Sequence, residues 1–228
     1  MRILHFSDNH GLIPKLDLDG IDVVVNSGDF LPNKTRGGNS YYVSLETQFQ
    51  ASWIHANRDE LCEMIPYRIP FLICRGNHDF INPADHLGTC PAEGGMQTHD
   101  LSSKIVEVCG IKFFGFPYTP WLAGEWWGEL TARQEDHAME GLLLVLERDK
   151  PDVLVSHGPM HGILDKNSYG EHCGSTKLRK LLMHTTKHMP KVMLHGHIHE
   201  SAGKNMMTSA GRDMRVFNSA TIVQTIEI

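Results

Sequence analysis

Residues of metal-ligand type follow directly on apolar runs at five places in this chain. Asp8 and His10 come after Arg2 to Ser7, Gly28-Asp29 after Asp22 to Asn26, and Gly76-Asn77-His78-Asp79 after Ile69 to Arg75. His157-Gly158 comes after Asp152 to Ser156, and Gly196-His197-Ile198-His199 after Lys191 to His195. Each has an ordinary reading when taken singly. A strand-end Asp caps a helix or shapes a turn, a lone His157 hydrogen-bonds within its loop, and Asn77 before His78 satisfies turn geometry. Taken jointly the odds reverse, because loops at strand carboxyl ends of an α/β sheet open onto a common edge. Asp, Asn and His side chains gathered there would form a costly buried polar cluster without a shared partner. Divalent cations satisfy such a cluster.

The elements that must position these residues are short β-branched runs, which read as buried strands. Between them lie helical patterns: Tyr42, Leu45, Phe49, Trp53 and Ala56, then Met139, Leu142, Leu143 and Leu146. Thr131 with Gln134 three residues on gives the second helix a capping box. A third helix is expected from Ser175 to about His188, stopped by Pro190. Lys104 to Val108 and Ile111 to Phe116 read as a hairpin around Cys109-Gly110, and Arg215 to Asn218 with Ile222 to Ile228 as a second antiparallel pair. The sheets are therefore mixed. No repeat, low-complexity tract or Pro/Ser-rich linker marks a boundary, so residues 1–228 read as a single domain with a surface loop at Asn33 to Ser40.

Composition narrows the function. At 228 residues and 41% hydrophobic content, the chain can bury a self-sufficient core. Its 21 Lys+Arg against 27 Asp+Glu, a net charge of -6, lack the basic excess that binds long nucleic acid or anionic membrane. The cysteines at 62, 74, 90, 109 and 173 form no CxxC pair, which suits reduced thiols and a cytoplasmic protein. No signal-peptide pattern opens the chain, and no apolar run nears the ~20 residues that span a bilayer.

In order, Asp8 to His10, Gly28-Asp29, Gly76 to Asp79, His157 and Gly196 to His199 spell DxH, GD, GNH[DE], H and GHxH. In this the chain resembles the calcineurin-like metallophosphoesterase superfamily. The resemblance implies a four-layer α/β/β/α sandwich, two mixed β-sheets packed face to face and flanked by helices. FGFPYTPWLAGEWWGEL, SHGPMHGILD and FNSAT are similar to the small single-domain metallophosphoesterase-domain branch related to cyclic-nucleotide phosphodiesterases. The block RGNHD, with Arg75 before Gly76, also resembles Ser/Thr protein phosphatases, whose arginine there touches phosphate. Their second arginine signature is missing, since Phe-Leu-Pro-Asn follows Asp29.

The resemblance implies two divalent ions, manganese first and iron, zinc or nickel as alternatives. Asp8, His10, Asp29 and His199 would hold one; Asp29, Asn77, His157 and His197 would hold the other, with Asp29 bridging. A hydroxide between the ions would attack phosphorus in line. His78 would stay off the metals, stabilising the transition state or protonating the leaving oxygen. Asp79 either orients the His78 ring or is a plain turn residue. Arg75 would contact substrate, and His161, with His172, could line the site. Trp121, Trp126 and Trp127 either stack a base or cover a core edge, while Met206, Met207 and Met214 read as packing residues. The activity expected is a phosphodiesterase on a small substrate such as a cyclic nucleotide. A phosphomonoesterase, including a protein phosphatase, is the alternative, and a noncatalytic scaffold like the retromer subunit of this superfamily is the rival of another class.

Overall fold

Strand residues here alternate between two buried environments, which is what a strand sandwiched between a second sheet and a helix layer requires. In β1 (Arg2–Phe6), Ile3 joins the core between the sheets while Leu4 and Phe6 face the outer helices. The same alternation places Val23 and Val25 inward and Val24 outward in β2 (Val23–Asn26), and Leu72 inward between Phe71 and Ile73 in β3 (Pro70–Ile73). The computed structural model describes residues 1–35, 40–66, 68–88, 97–122, 126–209 and 211–228.

The first sheet adds β4 (Gln97–Asp100) in parallel beside β3. Its outer face is covered by α1 (Ser40–Ala56) and α2 (Arg58–Met64), with the short α3 (Pro83–Leu87) beside β4. The second sheet begins with the hairpin β5 (Ile105–Val108) and β6 (Ile111–Phe116), whose turn uses positive φ at Cys109 (51°) and Gly110 (76°). A two-residue ladder, β7 (Thr119–Pro120) with β8 (Glu129–Leu130), leads into α4 (Ala132–Arg148), where Thr131 and Gln134 form the expected capping box. Then follow β9 (Val153–Ser156), α5 (Thr176–Lys180) and β10 (Val192–His195). The chain ends with β11 (Gly203–Ser209), β12 (Arg212–Asn218) and β13 (Val223–Glu227).

The sheet orders are β13-β1-β2-β3-β4 and β11-β12-β10-β9-β6-β5. Central strands run parallel, and antiparallel partners sit at edges: β13 on β1, β11 on β12 and β5 on β6. Between the sheets lie Phe113, Val153, Val155, Val192 and Leu194 from one side and Ile3, Val25 and Leu72 from the other. With α4 and α5 packed outside the second sheet, the layers are the expected α/β/β/α sandwich. No described helix is long and apolar enough to cross a membrane.

Several expectations are corrected. Arg215 to Asn218 and Ile222 to Ile228 do not pair: β12 lies between β10 and β11, while β13 crosses to the other sheet and pairs with β1. A short gap between two apolar runs suits a hairpin, but at Thr221 (φ 60°) the chain passes to the unfilled edge of β1 instead. The third helix stops short of His188. After α5 it continues as a π-helical turn, Leu181–Thr185, and Thr186 turns extended with its hydroxyl between Glu147 Oε1 (2.8 Å) and the His188 carbonyl (2.6 Å). Along α1 the buried stripe is Glu46, Gln50 and Ile54 rather than Leu45, Phe49 and Trp53. Met207 and Met214 are buried, but Met206 is exposed.

Cys62 is disulfide-bonded, whereas Cys74, Cys109 and Cys173 are free. The reduced state expected of Cys62 is therefore overturned, because pairing follows proximity in the fold and not spacing in the sequence. The expectations for Cys90 and for 36–39 of the surface loop lie outside the described residues.

Phe113 is fully buried between the sheets, so Phe113→Ala is expected to cost ~3–5 kcal/mol, against ~1 kcal/mol for Thr131→Ala at the exposed capping box. Urea unfolding midpoints measure both. Equal losses would mean that the inter-sheet core does not carry the fold.

Candidate metal centre

The two sheets contribute different chemistry to one edge. After β1 the first sheet supplies Asp8 and His10, after β2 Asp29, and after β3 Asn77 and His78; the second supplies His157 after β9 and His197 and His199 after β10. The loops are laced by backbone hydrogen bonds. Asp8 N donates to Gly28 O (3.0 Å), His10 N to Asp29 O (3.0 Å) and Gly196 N to His157 O (3.2 Å). Asp8 (φ 57°), His10 (φ 44°), Asp29 (φ 53°) and His197 (φ 71°) all take the left-handed conformation, which costs a non-glycine residue ~1–3 kcal/mol. Such strain persists only where surrounding structure over-determines it, and here it aims the side chains inward.

The block glycines are needed for contact between loops. A Cβ on Gly76 would strike the backbone and carboxylate of Asp29, one on Gly28 would strike His157 Nδ1, and one on Gly196 would strike the Asp8 carboxylate and Ser7 Oγ. Their absence of a side chain lets the first sheet's carboxylates lie against the second sheet's imidazoles.

Both carboxylates are buried and pinned by amides. Asp29 Oδ1 accepts from His78 N (2.8 Å), and Asp29 Oδ2 faces His157 Nε2 at 3.4 Å and His10 Nε2 at 3.9 Å. Asp8 accepts from His197 N through Oδ2 (2.9 Å), and Asp8 Oδ1 lies 3.3 Å from His199 Nε2. Burial pushes both carboxyl pKa values up. At Asp29 the neighbouring His157 and His78 outweigh that push and hold it well below the usual range; at Asp8 the His199 hydrogen bond and His157 have the same effect.

The imidazoles are set for a cation. His157 Nδ1 pairs with Ser27 O (3.0 Å), which leaves Nε2 facing two oxygens, Asn77 Oδ1 at 2.9 Å and Asp29 Oδ2. Burial would lower this histidine, yet Asp29 and Asp8 raise it to about 9, a pocket poised for positive charge. His197 Nε2 is shielded from solvent and has no hydrogen-bond partner, and burial, then His157, depress that ring to about 3. A lone pair of this kind beside a buried carboxylate fits a cation. Donor atoms of Asp8, His10 and His199 lie within 4.8 Å of one another, as do those of Asp29, His157 and His197. Asp29 also groups with His10 and His78, so its carboxylate stands between the two sets. Every expected metal ligand is thus at this edge, with Asn77 placed beside His157. His78 also falls within donor reach, although it was expected off the metals.

The other expected site residues have diverse placements. His78 Nδ1 pairs with Asn33 Oδ1 (2.7 Å), while Asn33 Nδ2 donates to His78 O (3.1 Å). Asp79 does not orient that ring: its buried carboxylate accepts from Leu31 N (2.9 Å) and Gly76 N (2.9 Å), tying the second and third loops together. Burial, then Asp29, raises the Asp79 pKa to about 7. Trp126 stacks on His78 with ring centroids 3.9 Å apart, Trp127 lies 3.5 Å from the Arg75 guanidinium carbon, and Trp121 is exposed. His161 packs on His172 (4.9 Å), which pairs with Asp165 (2.6 Å), and belongs to none of the donor groups.

Sequence reasoning missed Asn33, and it missed Gln50. Gln50 Nε2 donates to His78 O (2.7 Å) and Pro32 O (3.1 Å), and its Oε1 accepts from Phe80 N (2.8 Å). Glu46, one turn earlier, accepts from Lys34 N (3.0 Å) and Thr35 N (2.6 Å). A Glu/Gln pair four residues apart, on one face of the helix, was the available signal.

A family model described as calcineurin-like phosphoesterase matches residues 1–201 of this chain. Among curated proteins, the chain is 25% identical over 216 residues to metallophosphoesterase domain-containing protein 1 of Homo sapiens, and equally to that of Mus musculus. The alignment covers 89% of this chain and 61% of each relative, so the chain spans less than two thirds of their length.

Because Asp29 stands between the donor sets, Asp29→Ala is expected to lose any metal binding at both; a variant that still bound two metals per chain would refute a shared ligand. Gly76→Ala, whose Cβ would meet the Asp29 backbone as well as its carboxylate, should displace the second loop and weaken metal affinity at least about 10- to 100-fold, read by metal content after dialysis with circular dichroism confirming the fold. Unchanged affinity would show that the loop contact is dispensable.

Proposed function

The chain belongs to the calcineurin-like phosphoesterase family, and from that premise we propose that it is a dimetal-dependent phosphoesterase, foremost a phosphodiesterase acting on a small substrate such as a cyclic nucleotide. The observation that carries this reading is the Asp29 carboxylate set between donor groups that each draw on both sheets. Asp8, His10, Asp29 and His199 fit one ion, and Asp29, Asn77, His157 and His197 the other. Divalent ions bound there, manganese before iron, zinc or nickel, supply Lewis acidity to a phosphoryl oxygen and to water near neutral pH.

The chain's own groups do the rest. Asn33 accepts the Nδ1 proton of His78, which leaves Nε2 as the atom at which a proton is taken or given. The amide bond from His78 N to Asp29 and the bond from Gln50 to His78 O fix the backbone that carries this ring. His78 would protonate the leaving oxygen, and Asp79 serves as the tie beneath it. Trp121, the exposed indole, is the ring open to a base. A net charge of -6 offers no track for long nucleic acid. One domain over residues 1–228 is supported by an inter-sheet core drawn from Ile3 to Ile226. A cytoplasmic setting accords with free Cys74, Cys109 and Cys173 and is opposed by the disulfide at Cys62.

Bis-nitrophenyl phosphate, nitrophenyl phosphate and 2′,3′- and 3′,5′-cyclic nucleotides, assayed with each metal, test the reading. The diester is expected to have the higher kcat/KM. A preference of about tenfold or more for the monoester would replace it with the phosphomonoesterase alternative. Less than about one metal per chain, with no activity under added manganese, would favour the scaffold. His78→Ala should keep its metals and lower kcat by roughly 10² to 10⁴, less for a nitrophenolate leaving group, which needs little protonation. An equal loss for good and poor leaving groups would assign His78 to charge stabilisation instead.

A further inference from the structure

Arg75 sits two residues before Asn77, where a guanidinium would reward a phosphate with many free oxygens, yet one of its two hydrogen-bonding edges, Nε/Nη2, is already occupied. Nε donates to the Asp79 carbonyl at 3.2 Å and Nη2 donates to the same oxygen at 2.7 Å. One face of the group is covered by Trp127, whose ring centroid lies 3.5 Å from Cζ. Trp127 is itself held. Tyr118 stacks with it at 6.2 Å and 25°, and the β7 and β8 ladder around it is closed by Thr119 N donating to Gly128 O at 3.1 Å. That ladder abuts the centre, since a Cβ on Gly158, beside His157, would lie 3.1 Å from Thr119 Cα.

We propose that Trp127 is a positioning residue that sets substrate class: by holding Arg75 against the Asp79 carbonyl, it withholds the Nε/Nη2 edge of the guanidinium from substrate and so favours a phosphodiester over a phosphomonoester. The proposal rests on reading this edge as a phosphoesterase site. A diester carries two nonbridging oxygens and one negative charge, whereas a monoester at neutral pH carries three such oxygens and up to two charges. An arginine presenting its Nε/Nη2 edge gives paired, charge-assisted hydrogen bonds, and the more highly charged ester gains more from them. With that edge bonded to a backbone carbonyl and stacked under an indole, the extra reward for the monoester is absent. The negative face of the indole attracts the guanidinium lying over it and so biases which partner the guanidinium keeps. Trp126 makes the neighbouring contact on His78, so the same segment borders both groups.

The test uses the full metal-loaded chain as wild type, Trp127→Leu, Trp127→Phe and the double variant Trp127→Leu/Arg75→Gln, with circular dichroism confirming the fold. The readouts are the calorimetric Kd for inorganic phosphate and the ratio of kcat/KM for nitrophenyl phosphate to that for bis-nitrophenyl phosphate. Trp127→Leu should bind phosphate about tenfold tighter and shift the ratio about tenfold toward the monoester. Trp127→Phe, which keeps a ring, should stay near wild type, and Arg75→Gln in the Leu background should reverse both gains. Should Trp127→Leu not fold, Trp127→Met makes the same comparison. A folded variant with unchanged phosphate affinity and ratio, or gains that persist without Arg75, would overturn the proposal. If no ester is cleaved with any metal while phosphate affinity still rises through Arg75, the phosphoesterase reading fails and the withholding of Arg75 stands.

Discussion

Two buried carboxylates from one sheet must meet the imidazoles of the other, and the rest of the molecule is arranged around that meeting. Asp8 and Asp29 end strands of the first sheet, while His157, His197 and His199 end strands of the second. Of the three donor groups, only His10, Asp29 and His78 come from the first sheet alone; the other two draw on both sheets. The centre therefore depends on the relative placement of the sheets, which the apolar layer between them sets only loosely because hydrophobic contact is non-directional. Directional bonds beneath the centre supply what that layer lacks. His5, on β1, pairs with Ser27 Oγ (2.9 Å) and with Ser219 Oγ (2.7 Å) on the crossover from β12 to β13. Asn218 donates to the carbonyls of Leu164 (3.2 Å) and Ile198 (2.8 Å), fixing the loop that carries His197 and His199.

Close approach has a local cost that explains the backbone. Left-handed φ at Asp8, His10, Asp29 and His197 disfavours each loop taken alone, and Gly28, Gly76 and Gly196 leave no side chain to fill the space. The polar stripe of α1 offsets part of this. A buried amide without a partner costs ~1–3 kcal/mol, comparable to one strained residue, so Gln50 and Glu46 bonding several loop amides stabilise the loops as much as an apolar face would stabilise the helix. Asp79 joins the second and third loops in the same way.

Much of this was legible in the sequence because it is local. Each β-branched run followed by Gly, Asp, Asn or His carries its strand and its ligand in one short stretch, and the capping box at Thr131 needs only Gln134 three residues away. What was not legible depends on partners distant in the chain. The side of α1 that is buried could not be read from apolar spacing, since Glu46 and Gln50 face inward to bond amides of loops that precede and follow the helix. The separation of β12 from β13 depended on an edge of β1 left open 200-odd residues earlier, as shown by the pairing of Arg2 with Glu227. Asn33 carries no motif of its own, and its role exists only because the third loop brings His78 to it.

The charge at this edge has a direction that follows from the same arrangement. Asp8 and Asp29 are held below the usual carboxylate range, so the carboxylates remain anionic, a buried negative charge that His157, raised to about 9 beside them, offsets only in part. Arg75, two residues before Asn77, keeps its positive charge but has its Nε/Nη2 edge on the Asp79 carbonyl, so that edge is turned to the backbone and away from a ligand. The field must be inverted by cations seated between the carboxylates and imidazoles, because an ion bound there is the largest local charge and resets the electrostatics of its surroundings. Binding of a phosphoester would then be conditional on metal occupancy, with the protein's own basic groups engaged in shaping the rim. Such a division would let one carboxylate, Asp29, which belongs to two of the donor groups, govern both ion binding and the acceptance of an anionic ligand.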